Sequence, residues 1–135
     1  MLTKVFRYLA LILSWVFLAG VVYQTYTAGL AAVAEVSSWG THVNFGFLLV
    51  LAALLQLLLV RPARLPRPAG WVSLGLFGTI VVQVILISVR DLAVSALHPV
   101  LALVVFLMAW WLAITATRAV RGPSPDAPAV AGKNA

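Results

Sequence analysis

Polar residues interrupt this chain at only a few places, and four apolar runs lie between the interruptions. The runs cover about residues 5–27, 42–60, 70–89 and 99–117. Each comes close to the 20 or so apolar residues that a helix needs to cross a bilayer core. Lys4 and Arg7 precede the first run, RPARLPRPAG separates the second from the third, and Arg118 and Arg121 follow the fourth. Links this short predict antiparallel neighbours. The expected fold class is therefore all-α: an integral membrane four-helix bundle, up-down-up-down, over residues 1–121. The second and fourth helices are then parallel and diagonal. Residues 122–135, GPSPDAPAVAGKNA, are small, polar and proline-rich, which predicts a disordered tail.

Composition agrees with a lipid solvent. Hydrophobic residues make up 64% of the 135 and charged residues 9%. There is no cysteine, which excludes disulfides, thiolate metal sites, iron–sulfur clusters and covalently attached c-type heme. The net charge of +6 does not point to nucleic acid, because its placement follows topology. Lys4, Arg7, Arg61, Arg64, Arg67, Arg118, Arg121 and Lys133 fall on one side of the spans, and Arg90 alone falls on the other. The positive-inside rule puts that majority, with both termini, in the cytoplasm of a bacterial inner (plasma) membrane. Ala32, Val33 and Ala34 before Glu35 also resemble a signal-cleavage site. The length of the first run, with Tyr23, Gln24 and Tyr26 before the alanines, favours a retained span.

The chain has two histidines, and each opens an apolar run that closes at an arginine: His42 with Arg61, His98 with Arg118. At about 1.5 Å per residue, both imidazoles stand roughly 28–30 Å from the closing arginine. They are thus level with each other at the outer face. Four residues inward stand Gly46 and Ala102, on the same helical face as the histidines. A flat porphyrin between the helices requires small side chains there.

Other residues complete an expected pocket. Gly20 and Gln24 share a face of the first helix. Gly75, Gly78, Thr79 and Gln83 form a small, polar stripe on the third. Gln56 and Gln83 read as lying near mid-membrane and are expected to face inward, because an unpaired amide is costly in lipid; a hydrogen bond between the two amides is one reading and a substrate or proton-path role the other. Asn44 and Thr41 flank His42 and are placed to orient its ring. Arg90 is placed to meet a heme propionate. Pro99 suits a first helical turn, which puts His98 at the cap. Trp39 and Trp71 read as interface anchors, and at least one of Trp110 and Trp111 as lipid-facing.

The segments THVNFG and LHPVLA, with the span layout, resemble the uncharacterised bacterial four-span membrane proteins that carry paired outer-face histidines. They also resemble a half-module of heme A synthase over about residues 5–118. That resemblance implies a heme-holding scaffold with histidines on helices two and four. The synthase's catalytic glutamate, one turn before the first histidine, has no counterpart: Trp39 stands there and Glu35 is the nearest acid. Oxidation of a heme methyl is therefore not implied.

Taken together, the residues predict one heme b between His42 and His98, near Gly46, Ala102, Arg90, Asn44 and Gln24, serving electron transfer. A quinone or another redox protein is the expected partner, the bilayer the solvent, and a homo-oligomer is compatible with the chain. A cofactor-free structural or accessory subunit is the alternative. A small transporter fits less well, because no ionisable residue lies at mid-depth. A bare zinc or copper site would need further ligands from Glu35 or Asp91.

Overall fold

The structure is a computed structural model that describes residues 1–89 and 92–122. Arg90, Asp91 and the expected tail beyond Gly122 lie outside the described residues. Four long helices form: α1 (Leu2–Val33), α2 (Ser38–Val60), α3 (Arg67–Ser88) and α5 (Leu97–Arg121), with one short turn of helix, α4 (Leu92–Ser95), before the last. All four long helices are apolar enough and long enough to cross a membrane. At 32 residues, α1 reaches roughly 48 Å, well beyond a 30 Å hydrocarbon core, so it projects past that core or tilts within it.

The helices form a ring. α1 packs on α2 and α5, and α3 packs on α2 and α5, while α1 faces α3 and α2 faces α5 across the diagonals. The expected up-down-up-down bundle is what the chain adopts, with both histidine-bearing helices parallel and diagonal.

Small residues set the helix spacing. Ala10, Ala53, Ala109, Ala113 and Ala116 are essentially inaccessible, and Leu76 and Leu112 fill the space between them. A Cβ on Gly20 would come within 2.9 Å of Leu49 Cδ2 and 3.4 Å of Phe45 Cε1, so α1 and α2 touch most closely there. Close backbone approach of this kind is how helices associate in lipid, where the apolar surroundings give no hydrophobic drive. Large apolar side chains point outward. Trp39, Trp71, Trp110 and Trp111 are all exposed, as anchors and lipid-facing rings should be.

The ends carry polar ties. Near the arginine-rich end, Arg7 Nε donates to the Ala63 carbonyl at 3.2 Å, and Nη1 donates to the Ala119 carbonyl at 3.1 Å. One side chain of α1 thereby holds the α2–α3 link and the last turns of α5. Trp15 Nε1 donates to Thr117 Oγ1 at 3.1 Å, a second bond between α1 and α5.

Two expectations need correction. On α3 the buried face is Ala69, Ser73, Leu76, Ile80 and Gln83, while Gly78 is exposed. Spacing of about 3.5 residues fixes that face, whatever the size of the side chains. Gln56 and Gln83 do not pair, and both polar atoms of the Gln56 amide are buried without a partner. A Cβ on Gly70 would meet Val60 at 3.9 Å, so these positions stand opposite on antiparallel α2 and α3. That register sets Gln83 level with Phe47, about nine residues or roughly 13 Å of helix from Gln56. The two amides therefore lie toward opposite ends.

Candidate functional site

At the end of the bundle opposite the arginines, the ring of helices opens into a cavity of about 660 Å³. All four long helices line it. His42, His98, Gly46, Ala102 and Gln24 are all on its wall, with Gln83 from α3. The remaining lining is almost entirely apolar, from Val21 and Ile80 to Phe47 and Phe106. Val43, Phe47, Ile87 and Leu103 line the cavity and are also exposed, so its mouth reaches the bundle surface. A largely apolar cavity of this size with a few convergent polar groups has the form of a small-molecule site.

The histidines meet inside it. Their ring centroids are 6.1 Å apart, with the planes crossed at 66°. α2 begins at Ser38, so His42 lies a full turn inside the helix and is buried. α5 begins at Leu97, so His98 belongs to the first helical turn and is not its cap. Pro99 then follows where the backbone N–H has no helical partner to lose.

Gln24 and His42 form a reciprocal pair across α1 and α2. Gln24 Nε2 donates to the His42 carbonyl at 2.7 Å, and His42 Nδ1 lies 3.0 Å from the Gln24 carbonyl. A carbonyl only accepts, so Nδ1 carries the proton. In a neutral ring that leaves the lone pair on Nε2, the nitrogen free to ligate a metal. A ligand histidine held through its other nitrogen by a backbone carbonyl is a common arrangement in metal sites. Trp39 packs edge-on against the same ring at 5.5 Å.

His98 is less tied down. Its Nδ1 is buried and unpartnered, although the Gln83 carbonyl of α3 faces the ring. Gln24 Oε1 is likewise buried without a partner.

The cavity brings together five of the seven residues expected from sequence. Asn44 is exposed and off the wall, and Thr41 is exposed beside it. They stand one and two residues from His42, about 100° and 200° around the helix, so neither orients its ring. The Gln24 carbonyl does that. Arg90 lies outside the described residues. Gly46 is small for a reason the sequence does not reveal: a Cβ there would meet Gln24 Nε2 at 3.0 Å.

That contact gives an expected outcome. Gly46→Ala should displace the Gln24 amide from the His42 carbonyl and cost about 1–3 kcal/mol as overpacking. In a Gln24→Ala background the same substitution should cost little, because the opposing atom is gone. Thermal unfolding of the four proteins in detergent measures the coupling. Additive effects would mean that Gly46 is small on account of something other than Gln24.

Residues 24–89, a little under half of the chain, match a family of unknown function, DUF6220. The matched segment contains Gln24, His42, Gly46 and Gln83 and ends before His98. No curated protein matches the chain, and no solved structure does. Over those residues the chain is thus similar to an uncharacterised family.

Proposed function

We propose that this protein is a membrane cytochrome that holds one b-type heme between His42 and His98 and uses it for electron transfer. The observation that carries this reading is that the two imidazoles lie close together on the wall of one apolar cavity. A metal gripped by one nitrogen from each of two opposed rings, at about 2.0–2.1 Å, sets the ring centroids roughly 6 Å apart. The separation in the structure is 6.1 Å.

The donor set favours heme over a bare ion. Among the described residues, no cluster of three or more histidine, cysteine, aspartate or glutamate side chains forms. Two imidazoles under-coordinate zinc or copper, whereas a porphyrin brings four nitrogens of its own and needs only two axial ligands.

When bound, the heme would supply one-electron chemistry, and holding it through both His42 and His98 would favour electron transfer over oxygen binding. The chain's own residues do the rest. Gln24 fixes the His42 tautomer, Gly46 and Ala102 keep the histidine faces clear, and the apolar wall excludes water. The cavity mouth at the bundle surface suits a quinone or a redox protein as partner. A cofactor-free structural subunit is the second reading, and the edge-to-face packing of Trp39, His42 and His98 favours it, since aromatic clusters pack that way unaided.

Absorption spectra of the detergent-purified protein, oxidised and reduced, separate the two. The wild type should carry heme with a low-spin spectrum. His42→Ala and His98→Ala should each shift it to high spin or lose heme, and the double variant should bind none. Undiminished heme in the double variant overturns the site, and a heme-free wild type reconstituted with hemin that still takes none leaves the structural reading standing.

The charge asymmetry orients the bundle with the arginine-rich end in the cytoplasm and the histidines toward the outside of the inner membrane. In intact cells an impermeant thiol reagent should label Ser37→Cys but not Leu2→Cys. The reverse pattern would turn the cavity to the cytoplasm and exclude an external electron donor.

A further inference from the structure

A second cavity, of about 570 Å³, opens at the arginine-rich end, far from the histidines. Arg7, Trp111, Thr115 and Arg118 line it, beside Pro66 and Pro68 at the start of α3. Arg7 is partly buried and pinned by its bonds to the Ala63 and Ala119 carbonyls. A guanidinium has five N–H groups, so these two bonds leave about three for another acceptor. Arg118 stands exposed on the same wall.

Among the described residues no acid answers these charges. Among the described residues Glu35 is the only aspartate or glutamate, and it lies at the other end of the bundle, next to the start of α2. Lys4, Arg61, Arg64, Arg67 and Arg121 add to the positive field around the cavity. A partly buried cation with spare donors and no counterion calls for an anion, and paired guanidiniums match the oxygens of a phosphate. The cavity sits where α3 starts and α5 ends, among the chain's basic residues, and the exposed, lipid-facing Trp111 ring lines it.

We propose that this cavity seats the phosphate of an anionic phospholipid, with Arg7 and Arg118 as donors and Trp111 along the glycerol and upper acyl chain. Basic recesses between membrane helices recognise anionic headgroups in this way. A free phosphate offers the same oxygens but no chain for Trp111 to cover.

Delipidated protein in detergent is titrated separately with phosphatidylglycerol, phosphatidylcholine and inorganic phosphate, and read by native mass spectrometry. One phosphatidylglycerol should bind well ahead of phosphatidylcholine. Arg118→Gln should weaken it roughly fivefold while leaving the bonds of Arg7, and hence the helix content, intact. Lys4→Gln removes a charge at the same end but outside the cavity, and should cost less than about twofold. Equal affinity for the two lipids, or equal losses from Arg118→Gln and Lys4→Gln, overturns the proposal. Displacement of the lipid by inorganic phosphate at equal concentration also overturns it and assigns the cavity to a free phosphate.

Discussion

Helices in lipid gain nothing from burying apolar surface against one another, and every buried polar group must find its partner within the protein. This bundle meets the first demand along its length and the second near its ends, while the Gln56 amide and the Ser73 hydroxyl stay buried without a partner. Between its ends, alanines and Gly20 let the backbones approach. Near its ends, side-chain-to-backbone bonds take over: Arg7 to two carbonyls at one end, and the reciprocal Gln24–His42 pair near the other. The ring of four helices is therefore tied at both ends and closely packed between them, and a cavity lies toward each end.

The Gln24–His42 pair also links fold to chemistry. It is a structural bond between α1 and α2, and it decides which nitrogen of His42 bears a proton. A histidine at a membrane interface can usually adopt either tautomer. Here the backbone carbonyl of α1 accepts from Nδ1, so Nε2 keeps the lone pair. The His98 ring is approached instead by the Gln83 carbonyl of α3. The Gln24–His42 pair also makes α1 part of the cavity wall and lets it set the state of a ring carried by α2.

The four spans were legible because lipid demands long apolar runs. The level histidines were legible because helical rise converts residue count directly into depth. Gly46, Ala102 and Gln24 were legible as cavity wall for the same reason: they share a helical face or a level with the histidines. Helix starts were less so. The stretch SSWGT before His42 has no proline or strong cap to end a helix, and α2 uses it to begin one turn early. Gly78 misled because its size suggested an inward face, whereas its angle on α3 turns it to lipid. The Gln24–His42 bond, the separation of Gln56 from Gln83 and the exclusion of Asn44 all depend on register between helices. No single run of sequence encodes that register.

The central claim is that His42 and His98 grip one iron from opposite sides with their rings crossed. Electron paramagnetic resonance of the oxidised, heme-loaded protein tests it most directly. Two axial imidazoles with crossed planes predict a single low-spin ferric signal of large g anisotropy, as the 66° interplanar angle requires. A high-spin ferric signal would contradict paired ligation, and a low-spin signal of the small anisotropy that parallel rings give would contradict the crossed geometry.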